Sequence, residues 1–219
     1  MLLFDKEENG IRHAVWEVCE TTEQLLTLLP DGNSWYKEAN DRFKSESRIK
    51  EWIAVRVLLY HLMGKNAKIS YKENGAPYLE GSNNEISISH TKGYVCIALS
   101  ESYRVGIDIE RVANKVERVK DRFINECEQC DTLTKMLLIW SAKESMYKLL
   151  QIEGLDFLKD LQVCKFEESE QVERIVEYLN NLSDVKYENW VGLSLSERIG
   201  IIQRIELQSG MSVRYGRFQ

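Results

Sequence analysis

Two carboxylates near the middle of the chain are the first residues whose spacing suggests chemistry. In residues 105–110, VGIDIE, apolar side chains alternate with small or acidic ones. This alternation predicts a strand that carries Asp108 and Glu110 on one face. Rigidly held carboxylate oxygens suit Mg2+, which shares its coordination shell between one or two carboxylates, water and substrate phosphates. The pair therefore predicts part of a magnesium site.

A second group of polar side chains follows in residues 140–148, WSAKESMYK. Trp140, Glu144 and Lys148 are spaced i, i+4 and i+8, which places them along one stripe of a helix. Glu144 could complete the metal site beside the two strand carboxylates. In the alternative interpretation those carboxylates face solvent, Glu144 pairs with Lys148 and Trp140 lies in the core. Spacing alone leaves both interpretations open.

Several elements must position these groups. Residues 85–90 and 94–100 read as strands joined by a tight turn, so we predict a hairpin that the acidic strand extends to a meander. Thr132 is a suitable N-cap for a long helix that runs through Leu150 and carries the second group. Residues 117–129 are predicted to form another helix.

The N-terminal part of the chain predicts a strand and two helices. Residues 11–19 are rich in Ile, Val and Trp, which favours a strand, and Thr21 or Thr22 can cap a short helix after it. Residues 47–62 have the apolar pattern of an amphipathic helix, with Gly64 as its stop.

Two further regions are predicted from turn residues and short apolar runs. Residues 74–77, NGAP, predict a turn or loop. Beyond Gly154 the pattern predicts strands of a second sheet, one of which could also be helical. These runs are residues 161–166, 172–179, 186–195 and 198–207.

Cationic groups suited to phosphate occur in the first half of the chain. Arg48 and Arg56 are eight residues apart on one predicted helix and so lie on nearly the same side. They could bind phosphate as a pair of guanidinium groups or form a solvated helix edge. His90, beside Ser89 at a strand end, is a better ligand-binding candidate than the other two histidines.

Composition limits the classes of partner. Lysine and arginine number 29 against 35 aspartates and glutamates, giving a formal charge of −6, which argues against a general nucleic-acid binder. No apolar run approaches the ~20 residues that span a bilayer, and charge follows the N-terminus too soon for a signal peptide. We therefore expect a soluble cytoplasmic protein without a membrane partner.

The five cysteines are scattered and odd in number, which favours reduced thiols over a disulfide framework. Cys127 and Cys130 form a lone C-x-x-C without a second pair or a nearby histidine, so zinc or redox chemistry is not favoured there.

Taken together, these motifs resemble the 4'-phosphopantetheinyl transferase superfamily. The resemblance is sharp over residues 85–150, and the length is similar to that of the larger, two-lobed Sfp-type branch. The motifs that carry it are SISH at 87–90, GIDIE at 106–110, Phe123 with Glu126 and Glu128, WSAKES at 140–145, and Lys148.

The resemblance implies an α+β fold of two similar α/β lobes related by a pseudo-twofold axis, with the active site in the cleft between them. Residues 1–104 would form the lobe on the coenzyme A nucleotide side, and residues 105–219 the lobe with the Mg2+ site and catalytic helix. The two lobes would make one compact unit, and a monomer would suffice for activity.

The implied activity is transfer of the phosphopantetheine arm of coenzyme A to a serine of an apo acyl or peptidyl carrier protein, with release of adenosine 3',5'-bisphosphate. By resemblance, Asp108, Glu110 and Glu144 are Mg2+ ligands. Glu144, directly or through water, would act as the base for the carrier serine. Lys148 would stabilise the phosphate, assisted by Lys143.

Contacts with coenzyme A are also implied by resemblance, at helix, loop and strand positions. Ala76 stands where the family often has a lysine, which removes one expected phosphate contact. The residues assigned to coenzyme A are Arg48, Arg56, Gly75, Ala76, Pro77, Ser89 and His90.

Two other functions remain open at this point. The same three acids could serve a Mg2+-dependent phosphodiesterase or nuclease, although a dense basic and aromatic surface for nucleic acid is missing from the sequence pattern. An inactive relative that binds coenzyme A or a carrier protein is the other alternative.

Overall fold

The computed structural model describes residues 1–8, 10–111, 115–128, 130–163 and 213–215. Contacts between residues divide the chain into two compact units, 1–105 and 106–219. The elements are, in chain order, β1 (Leu2–Glu8), β2 (Ile11–Glu17), α1 (Thr22–Thr27), α2 (Gly32–Arg42), α3 (Glu46–Met63), β3 (Ile69–Tyr71), β4 (Pro77–Leu79), β5 (Glu85–Thr91), β6 (Tyr94–Ser100), a 3-10 helix (Val116–Arg122), α4 (Leu133–Leu150), β7 (Leu161–Val163) and β8 (Val213–Tyr215).

The first unit is built on a four-stranded antiparallel sheet in the order β1-β2-β6-β5. All residues of β6 are buried, as expected for a strand that is paired on both sides and is apolar except for Ser100. The hairpin predicted from the sequence is confirmed as β5 and β6, in the register Ser89 opposite Cys96 and His90 opposite Val95. Because side chains alternate along a strand, Ile88 and His90 share one face of β5 and Ser89 lies on the other.

Helix α3 packs against β6 and against α1 and α2. Apolar side chains surround most of its circumference, and Ile53 and Leu58 are completely buried. Burying each such side chain contributes about 1.5–3 kcal/mol. The predicted end of the helix is confirmed, since Gly64 is the C-cap with a φ of 65°, a conformation that costs glycine little.

The turn predicted at residues 74–77 is confirmed as the connection between β3 and β4. Lys72 donates its backbone N–H to the carbonyl of Ala76 at 2.9 Å. Gly75 has a φ of 82°, so its lack of a Cβ makes the turn possible. The connection places Tyr71, the last residue of β3, close to the start of the turn.

Helix α4 organises the described part of the second unit. Thr132 is its N-cap, as predicted, and its side chain accepts a hydrogen bond from the backbone N–H of Lys135 at 3.1 Å. Phe123, Leu138 and Ala142 are completely buried in a core between α4 and the preceding segment. The helix therefore has one face in the core and another available for the polar residues.

Residues 104–110 do not form the predicted third strand of a meander, which is a correction. From Gly106 onward the stretch packs against α4 instead of pairing in a sheet. A Cβ added to Gly106 would lie only 2.2 Å from the carbonyl oxygen of Ser145, and Lys148 donates to the carbonyl of Ile107 at 3.0 Å. The apolar alternation thus reflects burial against a helix, not a strand.

The helix predicted over residues 117–129 is also corrected. Only a 3-10 helix, Val116–Arg122, is present, followed by turns. The Glu128 side chain accepts a hydrogen bond from the backbone N–H of Asn125 at 2.9 Å, and the Asn125 side chain accepts one from Cys127 at 3.0 Å. Such local bonds compete with helical ones and favour turns.

The elements not expected from the sequence are β3, β4, β8, β1 and α2, of which the last two bear on the first unit's sheet and helices. The charged β1 is an edge strand that pairs only with β2 within the described residues, and charge is common on sheet edges. Helix α2 starts at Gly32, inside what reads as a turn. Its N-cap Asp31 has a φ of 55°, so the turn and the helix start coincide.

The α+β class is confirmed by these elements. Two similar lobes and a cleft between them stay a prediction. Among the strands predicted after Gly154, the first is present as β7, whereas residues 172–179, 186–195 and 198–207 lie outside the described residues. In the part of the chain that is described, no helix is both long and apolar enough to cross a membrane.

Candidate functional site

Asp108 is the most firmly held of the predicted carboxylates. It is buried and accepts hydrogen bonds from Ser141 Oγ and Lys148 Nζ, each at 2.8 Å. Both donors project from α4, so the helix fixes the orientation of this side chain. Lys148 also donates to the carbonyl of Ile107, which fixes the lysine in turn.

Glu110 is held by an aromatic donor of the same helix. Its Oε1 accepts a hydrogen bond from Trp140 Nε1 at 2.8 Å, and the Trp140 ring packs against Phe123 and Phe157 with centroids 5.0 and 5.7 Å away. Burial, and then the charge of Asp108, raise the pKa of Glu110 above its ordinary value. The tryptophan therefore joins the core to the carboxylate.

Glu144 has the chemistry expected of a proton acceptor. Burial raises its pKa to about 7, with Asp108 and Glu110 adding to the rise and Lys148 opposing it. The side chain borders a pocket that Trp140, Tyr147 and Phe157 also line. At neutral pH this carboxyl exists in both protonation states in comparable amounts.

These three carboxylates fit Mg2+ in chemistry but not in their present arrangement. Their mutual effect on pKa shows that they lie within electrostatic reach of one another. However, no three His, Cys, Asp or Glu side chains of the described residues are placed so that they could hold a metal. Asp108 is engaged by Lys148 and Glu110 by Trp140, so coordination would require side-chain rotation.

A comparison with protein families matches residues 104–201 to the model of the 4'-phosphopantetheinyl transferase superfamily. The match supports this superfamily. It covers slightly less than half of the chain and includes both the carboxylates and α4. A search of curated proteins found no match.

Lys143, within the segment that matches the superfamily, is not placed to assist at a phosphate. It is completely buried, and its Nζ donates to Glu128 at 2.8 Å, to the Phe157 carbonyl at 2.9 Å and to the Phe123 carbonyl. An ammonium group has three hydrogens, and all three are used here. Lys143 therefore has no hydrogen left to donate to a phosphate, which corrects the assisting role that the resemblance implied.

Glu128 is a residue whose importance spacing did not reveal. Besides Lys143 it accepts hydrogen bonds from the backbone N–H groups of Asn125 and Val163, at 2.9 and 2.7 Å. One carboxylate thus joins α4, the turn after the 3-10 helix and β7. In the sequence, Glu128 stood out only as part of the motif with Phe123 and Glu126, which gave it no structural role.

The first unit contains a pocket that brings together three of the predicted coenzyme A residues, and we call it the arginine pocket. It lies between α3, β5 and the end of β3, since Ile88 and His90 share one face of β5. Its lining includes the polar and aromatic residues Arg48, Glu51, Trp52, Arg56, Tyr71 and His90.

Arg56 is the buried cation of the arginine pocket. Its guanidinium lies 3.4 Å from the centroid of the Trp52 ring and donates to the Trp52 carbonyl at 3.1 Å. Burial lowers its pKa to about 10, so it remains charged at neutral pH. Its Nε is buried without a hydrogen-bond partner in the structure, which is unusual for a cation.

The other predicted coenzyme A residues lie elsewhere in the first unit. Ser89 is buried on the face of β5 opposite His90. Gly75 is exposed, and Ala76 and Pro77 are half-buried at the connection between β3 and β4. Sequence reasoning did not anticipate Glu51, Trp52 and Tyr71, because an acid and two aromatics on separate elements form no motif.

Proposed function

We propose that this protein transfers the 4'-phosphopantetheine arm of coenzyme A to a serine of an apo acyl or peptidyl carrier protein and releases adenosine 3',5'-bisphosphate. The observation that carries the proposal is the arrangement of Asp108, Glu110, Glu144 and Lys148 within the segment that matches the superfamily model. An assignment to the Sfp-type branch is part of the proposal.

The proposed reaction breaks the phosphoanhydride of coenzyme A while the serine oxygen bonds to the phosphorus of the transferred arm. Glu144, with its pKa near 7, would accept the serine proton, since a base works best when its pKa lies near the working pH. Lys148 would stabilise the negative charge that grows on the phosphate oxygens. Both groups project from α4, so one helix sets their separation.

Mg2+ is proposed as the cofactor, with Asp108, Glu110 and Glu144 as its ligands. When bound, the ion would neutralise the charge on the pyrophosphate. Asp108 would have to exchange its ion pair with Lys148 for the metal, which frees the lysine for a phosphate. Lys148, released from this ion pair, would then be available to a phosphate oxygen.

For the nucleotide of coenzyme A we propose the arginine pocket. The exposed Tyr71 offers an aromatic surface suited to a base, and Arg48, Arg56 and His90 offer donors for phosphate oxygens. The buried Nε of Arg56 would gain a partner if a ligand oxygen reached it. A cytoplasmic location, a monomeric state and the absence of nucleic-acid partners belong to the same proposal.

Mass spectrometry of apo carrier proteins tests the proposed function. Acyl and peptidyl carriers are incubated with coenzyme A and Mg2+, and the carrier should gain the mass of one phosphopantetheine arm. Asp108→Asn should lower kcat about 100-fold or more, because a charge-stabilising group is removed. Asp121→Asn, an exposed substitution in the same unit, is the matched control and should leave the rate unchanged.

One observation favours the inactive relative as a second candidate. Lys148 already satisfies Asp108, as it would in a protein that binds coenzyme A without metal chemistry. Tight binding of coenzyme A without loading of any carrier would support that candidate. Retained transfer in a folded Asp108→Asn variant would contradict the proposed metal ligand.

A further inference from the structure

Glu51 occupies a position in the arginine pocket that would otherwise suit an anion. Its Oε2 lies 3.1 Å from Arg48 Nη1 and 3.7 Å from His90 Nδ1. Arg48 Nη1 in turn lies 3.2 Å from His90 Nε2. The carboxylate, the guanidinium and the imidazole thus form one interacting group at the mouth of the pocket.

The carboxylate changes what this group can bind. Its negative charge offsets that of Arg48, so a phosphate arriving at Arg48 and His90 meets a like charge within a few ångströms. A neutral hydroxyl can instead donate a hydrogen bond to Glu51 and accept one from Arg48. The deeper cation, Arg56, is covered by Trp52 on one face, and no contact joins it to the group of Glu51, Arg48 and His90 among the hydrogen bonds and ion pairs described for these residues.

We propose that Glu51 is a specificity-determining residue that makes the pocket indifferent to a phosphomonoester on the ribose of its nucleotide. The inference rests on the proposed function and sharpens it. A pantetheine nucleotide with a free ribose 3'-hydroxyl, 3'-dephospho-coenzyme A, is then a substrate comparable to coenzyme A itself. Substitution of the carboxylate by a neutral amide creates a preference for the 3'-phosphate.

Carrier loading with the two substrates tests the proposal. The wild-type protein should use coenzyme A and 3'-dephospho-coenzyme A with kcat/KM values within about threefold of each other. Glu51→Gln should raise the preference for coenzyme A about fivefold or more, mainly through a lower KM for coenzyme A, because one repulsive charge near the phosphate is removed. Glu46→Gln, an exposed acid of the same helix, should change neither value.

Calorimetric titration with adenosine 3',5'-bisphosphate and adenosine 5'-monophosphate gives a second measurement that needs no turnover. Glu51→Gln should raise the affinity ratio of the bisphosphate to the monophosphate by a similar factor. If no carrier is loaded, the proposed transferase function fails while this ratio still tests Glu51. A wild-type preference for the 3'-phosphate above about thirtyfold, or an equal effect of Glu51→Gln on both nucleotides, would overturn the inference.

Discussion

The environment of Glu144 determines what this single residue can do. Its pKa of about 7 arises first from burial and then from two neighbouring carboxylates, with Lys148 acting in the opposite direction. Those neighbours are themselves held by donors from α4. A residue that is a poor base when exposed is therefore suited to accept a proton at neutral pH because of its location.

The raised pKa of Glu144 predicts a pH-dependent cost in stability without metal. The folded state holds a proton on Glu144 up to about pH 7, whereas an exposed glutamate loses it near 4.5. Stability from this group is therefore present below pH 4.5 and lost as pH rises through 7. Glu144→Gln removes the cost and should stabilise the metal-free protein at pH 8 by about 1–2 kcal/mol.

Urea unfolding at pH 8 and pH 5 measures this effect. The stabilisation by Glu144→Gln should be clear at pH 8 and much smaller at pH 5. Glu153→Gln, a substitution of an exposed glutamate in the same unit, serves as the control. A gain that is equal at both pH values would show that the charge of Glu144 is not its source.

At the scale of elements, α4 is fixed by a buried ion pair. Lys143 and Glu128 have no exposed side-chain surface, and their bonds join the helix to the turn at Asn125 and to Val163 in β7. Because Lys143 precedes Glu144, the same contacts help to set the rotation of the helix and so the direction in which Glu144 points. The pair thus has a positioning role for α4.

Lys143→Met should destabilise the protein by about 3–5 kcal/mol, because it leaves Glu128 buried without its cation. Lys135→Met is the matched control: Lys135 lies on the same helix and pairs with the exposed Asp131 at 2.7 Å, so the expected loss is below about 1 kcal/mol. Thermal and urea unfolding would measure both. Similar losses in the two variants would contradict the structural role of the buried pair.

The elements also show how far the sequence could lead. Local signals were sufficient for α3 with its stop at Gly64 and for α4 with its cap at Thr132, since caps act within one turn. Over residues 104–110 the alternation of apolar and polar residues predicts a strand. The same alternation can arise when a segment without strand structure is buried against a helix. The assisting role of Lys143 was implied by the resemblance alone, and a motif does not show which neighbours cover a side chain.

On the scale of the whole molecule, the two proposed sites are built from residues of different units. The arginine pocket is formed by residues of the first unit, and the three carboxylates by residues of the second. The superfamily match covers the segment that carries the three carboxylates, whereas the pocket is defined only by the packing of α3, β3 and β5. Residues of the pocket that come together only in the fold, such as Glu51 and Tyr71, form no motif in a single sequence.

This division predicts that nucleotide binding and Mg2+ binding can be impaired separately. Arg48→Gln should weaken coenzyme A binding about fivefold, because a charge-assisted contact is lost at a half-exposed site, and should leave Mg2+ affinity unchanged. Asp108→Asn should weaken Mg2+ binding about tenfold or more without weakening coenzyme A binding in the absence of metal. Substitutions that act on independent sites have additive effects, so the double variant should show both losses in full. Calorimetry measures each affinity, with Lys44→Gln as an exposed control near the pocket. Loss of both affinities in either single variant, with the fold intact by circular dichroism, would refute the separate assignment.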